Sequence, residues 1–171
     1  MSSSVQPHGY PTGYSIPLGN VLLISCMDLR LIDDIVLFMD RDNLTNRYDQ
    51  FILAGAALGH FADANRDYYT EDAWDHHFGW RESLSDHVRL AMKLHAIQDI
   101  YILEHRSCGA YNYFLRNPPD RNNEESMHHK YAMELSDFIR TEHPALHVHS
   151  FLMDLRGNVE MLNTTNPDNR N

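Results

Sequence analysis

Val21, Leu22, Leu23 and Ile24 form an unbroken aliphatic run that passes straight into Ser25 and Cys26, with Asp28 and Arg30 just beyond. A short continuous apolar run rich in branched side chains reads as a strand buried on both faces. Its carboxyl end therefore carries a thiol, an acid and a base within a few residues. In an open α/β sheet, ligands bind at that end.

The rest of the chain supplies partners for such a strand. Residues 31–39 place apolar side chains on one face of a short helix. Residues 48–54 read as a second strand, closed by Gly55, and Gly55 and Gly59 bracket a turn in which glycine allows positive φ and close backbone approach. Residues 60–80 mix aromatics with acids and histidines without a clear period, so they read as an insertion, part helical. In 81–94, Leu84, Val88, Ala91 and Met92 line one side of a helix. Residues 99–103 form a third strand, 110–116 a short helix stopped by Pro118 and Pro119, and 124–143 a long amphipathic helix with Met127, Tyr131, Leu135, Phe138 and Ile139 inward. A fourth strand over 146–155 turns at Gly157 into an antiparallel edge strand, 159–162. Strands alternating with helices predict an α/β fold, with a central, mainly parallel sheet flanked by helices and an antiparallel edge strand at the C-terminus. Residues 1–19 are expected to be an irregular arm, packed through Tyr10 and Tyr14. Residues 20–163 are then a single domain, and 164–171 a flexible tail.

Composition narrows the function. The 171 residues carry 24 acids against 14 bases, a net charge of −10. A phosphate backbone needs a basic surface, so nucleic acid is not an expected partner. Lys93 and Lys130 are the only lysines, which leaves no basic cluster for an anionic membrane. No apolar run approaches the roughly 20 residues that span a bilayer, and the first residues lack a basic start and an apolar stretch, so the expected location is cytoplasmic.

The chemistry gathers at two strand ends. Cys26 follows strand one; His105 and Cys108 follow strand three. Two thiolates and an imidazole are a zinc-type set, and three protein ligands leave a fourth position open for water. The spacing H-x-x-C lets one turn present both side chains to a common point. Taken singly, Cys26 reads as a small buried hydrophobe and His105 as a surface or capping residue. Asp28 and Arg30 point the same way if the segment is extended. Paired with the guanidinium, the carboxylate stays ionised and oriented, able to accept a hydrogen bond from a metal-bound water. Otherwise they are a surface ion pair worth under about 1 kcal/mol.

Cys26-Met27-Asp28-Leu29-Arg30 and His105-Arg106-Ser107-Cys108-Gly109-Ala110 resemble the paired motifs of the β-class carbonic anhydrases. Ala54-Gly55 and the closing segment 151–162 resemble the same family, over most of 20–162. The resemblance implies one zinc per chain held by Cys26, His105 and Cys108, an Asp28–Arg30 dyad, hydration of carbon dioxide to bicarbonate, and a homodimer or larger homo-oligomer. It also implies a closed state in which Asp28 takes the fourth position on zinc. The chain departs from the family at Ile52-Leu53, where Arg-Asn is usual, at Glu104, commonly Gly, and at Leu29, usually small.

The expected reaction is attack of a metal-bound hydroxide on the carbon of a small linear substrate. His60, His76 and His77 are candidate proton shuttles by residue type, although packing or surface roles fit them better. Carbonyl sulfide and carbon disulfide are alternative substrates, and sulfide release distinguishes them. A non-catalytic zinc domain closed by Asp28 is a second alternative, marked by inertness at alkaline pH. A thiol hydrolase with Cys108 as nucleophile and His105 as base is a third, and zinc lost on Cys26→Ser argues against it. His147 and His149 read as a solvated strand face, and His128 and His129 as a helix surface.

Overall fold

A computed structural model describes residues 8–60 and 66–162, without the side chains of 76–78. The remaining parts of the arm, the insertion and the tail, and the side chains of His76 and His77, lie outside the described residues.

Five strands make one sheet: β1 (Val21–Cys26), β2 (Tyr48–Leu53), β3 (Asp99–His105), β4 (His147–Met153) and β5 (Val159–Met161), in the order β2-β1-β3-β4-β5. The first four are parallel and β5 runs antiparallel to β4, as expected from the sequence. The helices are α1 (Ile32–Arg41), α2 (Glu71–His95), α3 (Gly109–Phe114) and α4 (Glu124–Glu142). Among the described residues, no helix is long and apolar enough to cross a membrane.

Every residue of β1 and β3 is buried, as the apolar runs require. Strand alternation sends successive residues to opposite layers. Leu22, Ile24, Ile100, Ile102 and Val148 pack with Leu84 and Val88 of α2 and Leu135 and Ile139 of α4. Val21, Leu23, Leu103, Phe151 and Met153 pack with Ile35, Phe38 and Met39 of α1. The arm joins this second layer. Tyr10 stacks on Phe38, and the Tyr14 hydroxyl donates to the buried carboxylate of Asp42 at 2.6 Å.

Most boundaries shift by one or two residues, and two of the shifts bear on the site and its cover. The helix expected over 81–94 begins ten residues earlier, at Glu71, so half of the supposed insertion is helix. Thr70 starts it as N-cap, its hydroxyl accepting from Ala73 N–H. β3 runs on to His105, so Glu104 and His105 are strand residues and not part of the following turn.

Candidate metal centre

Cys26 ends β1, His105 ends β3, and Cys108 is the residue that caps α3. Because β1 and β3 are neighbours in parallel register, with Ser25 beside Leu103, their ends lie side by side. The result is a cluster in which the Cys26, His105 and Cys108 ligand atoms all lie within 4.8 Å of one another.

The donor set fits zinc on three counts. The sulfurs are 3.8 Å apart, the separation of two sulfurs about 2.3 Å from one tetrahedral ion. His105 Nδ1 faces the Arg106 carbonyl at 3.0 Å, which makes it the protonated nitrogen. Nε2 is then the nitrogen left for a metal, buried and without a hydrogen-bond partner. A metal-ligating imidazole needs that arrangement. The sulfurs are also joined by a hydrogen bond. The Cys108 thiol donating to Cys26, helped by Gly55 N–H at 3.3 Å, pulls Cys26 down toward thiolate, while the same bond and burial push Cys108 up. Burial pulls His105 down, but the Cys26 thiolate beside it holds it above its usual value.

Asp28 and Arg30 meet, although not through an extended segment. Asp28 is the N-cap of a 3₁₀ turn, Leu29–Leu31, whose curl brings the two side chains together. Asp28 Oδ1 accepts from Arg30 N–H at 3.0 Å and Nε–H at 2.9 Å, and Oδ2 accepts from Nη2 at 2.6 Å. The guanidinium holds the carboxyl down to about 2. Asp28 Oδ2 lies 3.9 Å from His105 Nε2, so the carboxylate sits at the edge of the cluster while its oxygens are engaged by Arg30. Arg30 Nη2 also donates to the Ser107 carbonyl at 3.1 Å, and Ser107 N–H donates to Glu124. The turn between His105 and Cys108 is thus held from both sides.

Two histidines, His128 and His149, differ from their expected settings. His128 is fully buried and donates from Nδ1 to Glu104 at 2.7 Å. His149 is buried against Asp99 at 3.0 Å, whereas His147 is exposed. Local pattern misses these pairs because each partner belongs to another element. His60 is buried and packs on Phe138, the packing role that fits it better than a shuttle. Glu104, noted only as a departure from the family pattern, is a buried carboxylate behind the cluster. An acid directly after the apolar run 100–103 and before His105 was its visible sign.

This architecture is the fold of the β-carbonic anhydrases. A carbonic anhydrase from Streptococcus mutans aligns over 89% of this chain and 88% of its own, with a TM-score of 0.52 at 15% identity. One of two tetrameric β-carbonic anhydrases from Sordaria macrospora aligns over 85% and 81%, with a TM-score of 0.50 at 11% identity. No protein-family model matches the chain. The chain belongs to the family of uncharacterized protein RC0076 of Rickettsia conorii, to which it is 32% identical over 145 residues, 84% of this chain and 72% of that protein.

Proposed function

We propose that the chain is a zinc enzyme that reversibly hydrates carbon dioxide to bicarbonate. The observation that carries this reading is the buried, unpartnered Nε2 of His105 grouped with two sulfurs, with an ionised carboxylate beside it. Cys26, His105 and Cys108 are the residues that hold the metal. Zinc, when bound, supplies Lewis acidity that brings the pKa of its water from 15.7 to about 7. Asp28 stays ionised at neutral pH and orients the attacking water by accepting its proton in a hydrogen bond. Arg30 fixes that carboxylate and, through Ser107, ties it to the ligand turn, so acid and ligands move as one unit. Its fork on Asp28 also favours an open site over one closed by the aspartate.

The test is zinc content and stopped-flow hydration of the wild type beside Cys26→Ser, Cys108→Ser and Asp28→Ala. One zinc per wild-type chain with measurable hydration is expected. Loss of zinc is expected in both cysteine variants, and retained zinc with lost hydration in Asp28→Ala. Sulfide release from carbonyl sulfide with negligible carbon dioxide hydration overturns the substrate. A zinc-replete protein inert at alkaline pH overturns the catalytic reading.

Assembly into a homo-oligomer belongs to the same proposal. Tetrameric β-carbonic anhydrases share the fold. Met27, Leu29 and Ile52 are large apolar residues more than half exposed around the carboxyl ends of β1 and β2. Grouped exposure of this kind marks an interaction surface.

A further inference from the structure

Glu104 is 1% exposed, one residue from His105, and both of its carboxyl oxygens are met by protein donors. Ala57 N–H donates to Oε1 at 2.7 Å; the Tyr111 hydroxyl at 2.8 Å and His128 Nδ1 at 2.7 Å donate to Oε2. The three donors come from the 3₁₀ turn Ala56–His60, from α3 and from α4. Two of those elements also meet the candidate metal ligands. The turn is preceded by Gly55, whose N–H donates to Cys26 Sγ, and α3 follows directly on Cys108.

The turn is not a relaxed one. Gly55 and Ala56 both have positive φ, +84° and +47°. A left-handed conformation costs a residue bearing a Cβ roughly 1–2 kcal/mol, so surrounding contacts must hold Ala56 there. The turn also presses on α3: a Cβ on Gly55 would stand 3.2 Å from the Ala110 Cβ. Turn and helix therefore have little freedom to shift independently, and Glu104 grips both.

We infer that Glu104 is a positioning residue for the metal centre. By accepting from Ala57 N–H it holds the turn so that Gly55 N–H reaches the Cys26 sulfur. By accepting from Tyr111 it fixes the helix that begins at Cys108. The inference rests on Cys26, His105 and Cys108 being metal ligands. The competing role is that of an anchor for α4 through His128, with no consequence for the ligands.

Three variants separate the two roles. Glu104→Gln keeps an acceptor for Ala57 N–H. Glu104→Leu is of similar size and keeps none. Combining Glu104→Leu with Tyr111→Phe and His128→Leu removes the side-chain donors as well, which avoids the cost of leaving them buried and unpaired. Folding is checked by circular dichroism. Cobalt(II) alone is the metal probe, and amide exchange at Gly55 and Ala57 is followed in metal-free protein. In the Leu and triple variants both amides are expected to lose protection. Cobalt affinity is expected to fall about 10- to 100-fold. The thiolate-to-cobalt absorption is expected to move to lower energy, because the Cys26 sulfur loses its donor. Glu104→Gln should match the wild type in amide protection and spectrum and fall between wild type and the Leu variant in affinity, because its amide nitrogen cannot accept from Tyr111 or His128. A folded triple variant with wild-type cobalt affinity and spectrum overturns the inference, as does protection retained at Gly55 when Ala57 is released. A wild type that takes up no cobalt overturns the metal-centre reading instead, and amide exchange alone then decides whether Glu104 holds the turn.

Discussion

His60 has neither ring nitrogen hydrogen-bonded, and its ring packs 4.4 Å from that of Phe138. Burial first, and then the charge of Arg81, push it down to about 4. In the unfolded chain a histidine takes its proton near 6.5. The contribution of His60 to stability is therefore complete above pH 6.5 and is lost as pH falls toward 4, a change of about 3 kcal/mol. Urea unfolding of wild type and His60→Leu across that range measures it. The difference between the two curves should narrow or reverse as pH falls, and a constant difference refutes the buried neutral histidine. At this scale the sequence was informative about His105 and Cys108, because the spacing H-x-x-C is local, and about Cys26, 82 residues from Cys108, only because it ends a buried apolar strand of the same kind. It was silent on Glu104–His128 and Asp99–His149, whose partners are 24 and 50 residues apart. Asp28 and Arg30 were paired correctly for a mistaken reason: a 3₁₀ curl, not strand alternation, brings them together.

Among the elements, α2 is the most instructive. Its second half was legible because Leu84, Val88 and Ala91 repeat at helical spacing and are buried. Its first turns were not, because Ala73 is fully buried there while Trp74 and Trp80 are only partly so, and no periodic stripe results. The start is set by the Thr70 cap and the charges of Glu71 and Asp72 in the first turn. The far end closes on Ala96, at φ 51° and ψ 42°. Glycine is the residue that this position favours. Ala96→Gly should raise stability by about 0.5–1 kcal/mol. The urea midpoint should rise with an unchanged slope, and an unchanged or lower midpoint contradicts the account. β1 and β3 were legible as elements because burial on both faces leaves no polar interruption. The end of β3 was obscured by Glu104, an acid whose burial depends on distant donors.

For the whole molecule, metal binding should act as a fold-wide clamp, since the candidate ligands join β1, β3 and the start of α3. A ligand held only by the folded state stabilises it by about 2.7 kcal/mol at a free concentration 100 times its Kd. Calorimetry should show Tm rising on zinc addition and falling with a chelator, and no response in Cys108→Ser. A wild-type Tm indifferent to zinc would count against the clamp. Light scattering should give a dimer or larger species, and charges placed by Leu29→Lys with Ile52→Lys should shift it toward monomer. An unchanged mass would show that the apolar group around the site is not the contact.

The arm bears on how such an assembly can close. Gly9 receives a hydrogen bond from Val159 N–H at 2.7 Å, and its own N–H donates to Asn158 at 2.7 Å. The start of β5 is thus met on its outer side by the chain's own backbone at Val159, whereas β2 borders the sheet at the other end. A sheet with two free edges can add copies without limit; one with a single free edge cannot. Two copies that join through β2 leave at the far end only an edge that the arm already engages at Val159, so pairing of this kind favours a closed pair over a filament.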